Sequence, residues 1–309
     1  MAGEILALLA SITFPLSNAI FRYVDTHVTP AQINAIRTTI GAITFIILFV
    51  LMDQWNSLEG LNLELLIILL LSITMGQIIG DTAYFEAQKS LGTTIALAIS
   101  STFPFFTFII SILIGRTIPF SFYISGFFIG IGTLCISRSY VTRNNENISK
   151  RKNANFRAII MGFSASVTWA FAIVLTDIGF SGLSDVIMSG GEEVIIGNSV
   201  RFPFAAFVLI VLSFSRKDIP LEAQNDRKWY QDKMIIIYLS VASLIGTSLG
   251  VILYTEAARL AGAAFTSLIL TASPLVSIPI AWIINQEKIT RLGFIGLVLT
   301  SVGVIIILV

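Results

Sequence analysis

The sequence predicts an all-α integral membrane protein of ten transmembrane helices, built as two inverted five-helix repeats. Three observations predict it: the apolar composition, a self-match at a shift of 170 residues, and opposite charge in equivalent loops. The 309 residues are 55% hydrophobic and 12% charged, about half the charged fraction of a soluble domain, with a mean hydropathy of +0.89. A water-soluble fold cannot hide that much apolar surface. A net charge of +1 and a pI near 7.8 leave no basic field for nucleic acid. The lone Cys135 cannot close an intramolecular disulfide, and the lone His27 leaves no Cys/His cluster for zinc, so neither metal nor cofactor is expected. Glu4 stands where a signal peptide would carry Lys or Arg, and no small-residue cleavage pattern precedes Arg22. The first apolar run therefore reads as a retained helix.

A bilayer core needs about 20 apolar residues per helix. Ten runs satisfy this, near Glu4–Phe21, Pro30–Met52, Leu65–Gln88, Thr93–Gly115, Phe120–Ser137, Phe156–Thr176, Val194–Phe214, Met234–Ala258, Ala263–Asn285 and Leu292–Val309. Two connections are long and polar, Arg138–Asn155 with its Lys150, Arg151, Lys152 string, and Ser215–Lys233. Sliding the chain by 170 residues lays Gly76 and Gly80 on Gly246 and Gly250, Tyr84 on Tyr254, Glu86 on Glu256, Lys89 on Arg259, Gly92 on Gly262, Pro104 on Pro274 and Gly126 on Gly296. Slightly shorter shifts lay Thr13 and Phe14 on Thr168 and Trp169, and Arg37 on Arg201. The chain thus divides into a first repeat over 1–138, a basic linker over 139–155 and a second repeat over 156–309.

Five helices per repeat require the second half to cross in the opposite sense. The loop between helices two and three carries Asp53, Glu59 and Glu64 and no cation, whereas its equivalent between helices seven and eight carries Arg216, Lys217, Arg227, Lys228 and Lys233. Over alternate loops, 15 of the 19 Lys and Arg lie on the side of the two long loops, two (Arg116, Arg259) on the other, and two (Arg37, Arg201) within helices. The positive-inside rule then places the long loops in the cytoplasm and both termini outside.

Each repeat has an Arg early in its second helix, a Tyr-x-x-Ala segment ending the third, a Pro in the fourth and Gly-x-x-x-small in the fifth. In that order and spacing, and over nearly the whole chain, they resemble the EamA domains of the drug/metabolite transporter superfamily. The resemblance implies a ten-helix inverted-repeat carrier of small metabolites with a cavity between its halves. Many such domains end the fourth helix on an acid. Glu287 keeps it in the second half, whereas Arg116 and Thr117 stand there in the first, so the acid is not required on both sides.

Several residues stand out as candidates. Gly76/Gly80 and Gly246/Gly250 form Gly-x-x-x-Gly pairs that let helix backbones approach closely in lipid, either as static packing or as a sliding face. Pro104 and Pro274, read as mid-helix, would free the carbonyls of Ser100 and Leu270 for a solute unless Ser101, Thr102, Thr271 and Ser273 compensate. Glu86 and Glu256 lie roughly 15 Å from their helix centres, each with a cation three residues on, and read as interfacial ion pairs. Asp81 lies within about 8 Å of its helix centre and shares a face with Gln77 and Tyr84. It is either a proton-exchanging or cation-holding acid, or the neutralising partner of a buried Arg. Arg37 and Arg201, about 5 to 10 Å inside their helices, are the buried charges that need such a partner. The expected solute lining is Asn18, Gln77, Asp81, Tyr84, Ser101, Trp169, Tyr254 and Thr271, with Phe14 beside them.

These features predict a secondary transporter of the plasma membrane, an exporter of small metabolites such as amino acids, with protons as the candidate coupling ion. No Gly-x-x-x-x-Gly-Lys-[Ser/Thr] segment supplies an ATP engine. A proton-coupled exporter of drugs or cations is the alternative. An intramembrane enzyme acting on lipid would need clustered carboxylates or His within its helices, which the sequence lacks. The expected partners are a small-molecule solute and the bilayer, with no nucleic acid, in a monomer or a homodimer.

Overall fold

The computed structural model describes residues 2–24, 28–53, 55, 58, 61–91, 96, 99–143, 152–187, 192–215, 229–273, 275–276 and 291–309. All described elements are helical. They are α1 (Ala2–Val24), α2 (Pro30–Leu51), α3 (Leu63–Ile73), a π-helical segment (Thr74–Gly80), α4 (Asp81–Leu91), α5 (Phe103–Leu113), α6 (Phe120–Arg143), α7 (Lys152–Ile187), α8 (Glu193–Ser215), a 3₁₀ turn (Trp229–Gln231), α9 (Lys233–Ser243), a second π segment (Leu244–Leu249), α10 (Gly250–Thr271) and α11 (Arg291–Leu308). Among the described residues, seven helices are long and apolar enough to cross a membrane, two of them running through the π segments as Leu63–Leu91 and Lys233–Thr271. Two shorter apolar helices lie at Phe103–Leu113 and Phe120–Ile136.

Local chemistry fixes the helix starts. Thr29 and Gln32 close a capping box around Pro30, each side chain accepting from the other's backbone N–H at 3.3 and 3.1 Å. Asn62 caps α3 through Leu65 N–H at 2.9 Å, and its repeat equivalent Asp232 caps α9 through Met234 N–H at 2.9 Å. The repeat extends to the π segments. Asp81 N–H reaches back five residues to the Gly76 carbonyl, and Gly250 N–H does the same to Ile245. One wide turn thus sits at the same place in both halves, the sort of defect that marks functional helices.

The chief helix pairings cross between the halves: α1 with α10, α4 with α7, α2 with α8, and α6 with α11. Their glycines show why. A Cβ on Gly80 would come within 2.6 Å of Trp169, on Gly76 within 3.1 Å of Ala172, on Gly246 within 2.3 Å of the Ser17 hydroxyl and on Gly250 within 2.8 Å of the Thr13 hydroxyl. Both Gly-x-x-x-Gly faces are therefore close-packing surfaces against the other half. Gly132 meets Gly296 and Thr300 while Gly303 meets Ser125 and Ile129, so α6 and its repeat counterpart α11 run antiparallel.

Two expectations are corrected. Pro104 is not mid-helix but in the first turn of α5, where a missing N–H costs nothing, and a turn at Ser101–Thr102 precedes it. Among the described residues, the prolines that do sit inside helices are Pro15 and Pro203. Helix six does not stop at Thr176 but continues through Asp177 to Ile187, because that acid is satisfied inside the protein. α6 runs on to Arg143, and α7 starts at Lys152. Pro274, Gly92, Glu287 and His27 lie outside the described residues.

Candidate functional site

Two polar clusters, one per repeat, are each built on an Asn-x-x-Arg turn in the second helix of the repeat, and the first of them faces a π segment. In the first, α2 carries Asn34 and Arg37. Because Asp81 N–H bonds Gly76 rather than Gln77, the Gln77 carbonyl can accept from Asn34 Nδ2, at 2.9 Å. Asn34 Nδ2 also donates to Thr82 at 3.1 Å, while its Oδ1 accepts from Arg37 Nε at 3.1 Å. So held, the Arg37 guanidinium forms an ion pair with Asp81 and lies 5.1 Å from the Phe85 ring centroid. Trp169, from the other half, donates its indole N–H to Asp81 Oδ1 at 2.9 Å. With the Gln77 amide assigned so as to satisfy its neighbours, its Nε2 donates to Asp81 Oδ2 at 2.9 Å and its Oε1 accepts from Arg37 Nη2 at 3.0 Å and Thr38 at 2.9 Å. Tyr84 stacks at 5.3 Å on the same Trp169 ring. Gln77, Asp81, Tyr84, Arg37 and Trp169 therefore meet at one point between the halves. The Arg37 and Asp81 side chains keep 13% and 15% exposure.

In the second cluster, α8 carries Asn198 and Arg201. Asn198 Oδ1 accepts from Arg201 Nη1 at 3.0 Å, and Asn198 Nδ2 donates to Thr255 at 3.2 Å. Arg201 Nη2 donates to the Thr176 hydroxyl at 3.2 Å. Phe180 lies 5.2 Å from the guanidinium, and Phe14 packs edge-on to Tyr254 at 6.2 Å. The residue in the place of Asp81 is Val251, so this cluster is the first one without its acid.

The remaining candidates stand apart from these contacts. Asn18 is half-buried on α1, Ser101 is buried beside the break before α5, and the Thr271 hydroxyl is spent on the Ser267 carbonyl at 2.9 Å. Glu256 pairs with Arg259 at 2.5 and 2.8 Å near the Gly262 kink, as the three-residue spacing predicts, and Arg259 reaches on to Ser184 at 2.8 Å.

A third cluster was not anticipated. Asp177, 1% exposed, pairs with Arg116 from the first half and accepts from Ala263 N–H at 2.9 Å. Asn34 and Thr176 were also missed. The repeated Asn-x-x-Arg, Asn34 with Arg37 and Asn198 with Arg201, is the signal that would have found Asn34.

The comparisons agree with this architecture. The EamA-like transporter family matches residues 1–138 and 156–309. One solved crystal structure superimposes over 98% of this chain and 94% of its own at a TM-score of 0.68 and 14% identity, which establishes the shared fold alone. No curated protein sequence matches the chain. With two matched segments covering nearly all its length, this multi-pass helical membrane protein is a member of the EamA-like transporter family, a family of transporters and not of enzymes.

Proposed function

We propose that the chain is a secondary transporter that exports small metabolites such as amino acids across the plasma membrane, by rocking two inverted five-helix halves about a midplane site. Ten crossings follow if Gly262, whose φ of 82° breaks Lys233–Thr271 into two helices, and the two shorter apolar helices are counted with the other spans. The antiparallel run of α6 and α11 supports the inversion. The loop charges support cytoplasmic long loops and outer termini. A carboxy-terminal tag is therefore expected to react with a membrane-impermeant reagent on intact cells, and labelling only after permeabilisation would reverse the orientation.

The observation that carries the reading is the Asp81–Arg37 pair. It is an ion pair set largely inside the protein, bonded by Trp169 across the halves, and seated beside a π segment matched in the other repeat. Charges held at this depth are costly and are retained for function. We assign Asp81 and Arg37 to coupling, and Gln77, Tyr84 and Trp169 to the solute wall. The test is counterflow in proteoliposomes with amino acids, sugars and quaternary amines. Wild type is expected to show saturable exchange whose rate changes with pH, and Asp81→Asn to flatten that pH profile. An unchanged profile removes Asp81 from coupling. Export of cationic drugs ranks second, because a cation would have to displace Arg37 from Asp81.

A further inference from the structure

We propose that Arg201 is the recognition element for a carboxylate, so that the transported solute is an organic acid or an amino acid. This rests on the transporter reading above and names the chemistry its solute must carry. The argument begins with charge balance. Arg201 is 3% exposed. Its hydrogen-bond acceptors among the described residues are Asn198 Oδ1 and Thr176 Oγ1, both neutral, and its buried Nε has none. The Phe180 ring offers only its face.

The repeat supplies an internal control. Arg37 likewise has an Asn three residues before it and a phenylalanine ring beside it, Phe85 of α4 where Arg201 has Phe180 of α7, yet it also has Asp81, whereas the second half has Val251 at that position. One repeat carries its own counter-ion and the other lacks it. Neutral amide and hydroxyl oxygens offset only part of the cost of a desolvated guanidinium, and a fork of N–H donors whose Nε has no partner is the complement of a carboxylate. The position suits a solute. The Thr176 hydroxyl accepts from Arg201 at 3.2 Å, and half-buried Tyr254 faces Phe14 of the other half, so an anion entering between the halves reaches Arg201 by exchanging with Thr176. A single guanidinium balances the one charge of a carboxylate and would leave the second charge of a phosphate buried without a counter-ion.

The experiment compares L-leucine and L-phenylalanine with their carboxamides and with tetraethylammonium, in counterflow on wild type, Arg201→Gln and Arg201→Lys. Wild type is expected to favour each acid over its amide by about tenfold to a hundredfold, the worth of a charged hydrogen bond in a buried site. Arg201→Gln should lose that preference while melting at or above the wild-type temperature, since it removes an uncompensated cation. Arg201→Lys should keep part of the preference. L-leucine or L-phenylalanine at saturation should raise the wild-type melting temperature, and the corresponding amide should not. Wild type that exchanges amides or the quaternary amine as well as acids overturns the assignment, as does an Arg201→Gln that keeps the acid preference. An Arg201→Gln that unfolds, with no acid-specific shift in wild-type melting, makes Arg201 structural and also overturns it. No saturable exchange with any of these solutes would instead overturn the amino-acid transporter reading beneath it.

Discussion

Arg37→Met is expected to destabilise the protein by about 3–5 kcal/mol, and the double variant Arg37→Met/Asp81→Leu to regain most of that loss. The asymmetry follows from what each change leaves behind. Removing Arg37 strands a carboxylate that is 85% shielded, with only the Trp169 indole N–H and the Gln77 amide as neutral donors. Removing both charges leaves an apolar pair of similar volume between α2 and α4, and no ion to desolvate. Asp81→Asn should be milder than Arg37→Met, because Arg37 then retains Asn34 Oδ1, Gln77 Oε1 and the Phe85 ring. Thermal unfolding in detergent measures all three. A double variant no more stable than Arg37→Met would show that packing against Trp169, and not charge, holds this site together. Transport should fail in the recovered double variant, which separates the site's role in function from its role in stability.

The organisation of the chain was readable because a duplicated gene leaves two copies of every constraint. A glycine that meets Trp169 in one half is echoed by one that meets Thr13 in the other, so Gly80 and Gly250 announce each other at a fixed shift. Depth arithmetic also served, since Arg37 and Asp81 lie at similar depth on different helices and neither can stay unpaired in hydrocarbon. Glu256 with Arg259 was readable because its partners are one turn apart. What stayed hidden has two physical causes. The π segments shift hydrogen bonds by one residue without a compositional signature, so the exposed Gln77 carbonyl, and with it the role of Asn34, follows only from the backbone. Charge within an apolar run reads as its end, and that rule cut helix six at Thr176. The structure keeps Asp177 inside because its partners, Arg116 and Ala263, come from elements 61 and 86 residues away. Pro104 failed for a related reason. A proline inside an apolar stretch can kink one helix or begin another, and only the turn at Ser101–Thr102 decides between them.

Asp177→Ala is expected to cost about 1–3 kcal/mol, and Asp177→Asn distinctly less, because the acid serves as a cap supplied from another helix. At Gly262 the backbone turns to φ 82° and ψ 160°, which ends one helical stretch and begins the next at Ala263. The first amides of the new stretch have no carbonyl a turn earlier, and Ala263, 1% exposed, cannot give its N–H to water. Asp177 Oδ2 accepts it at 2.9 Å, while Arg116 from the first half neutralises the carboxylate and Ser181 sits at 3.4 Å from its other oxygen. Alanine removes the acceptor and strands a buried donor. Asparagine keeps an oxygen for Ala263 and loses only the charge, and Arg116, with 41% of its side chain exposed, can then turn to solvent. Arg116→Gln makes the reverse cut. It leaves a carboxylate that is 2% exposed without its cation, so despite acting on the more exposed partner it should destabilise more than Asp177→Asn. Because Arg116 and Asp177 come from opposite halves, loss of the pair should also speed proteolysis at the loop preceding α6, in parallel with the fall in melting temperature. If Arg116→Gln is neutral while Asp177→Ala is costly, the acid acts as a helix cap alone and the charge that joins the halves there is incidental.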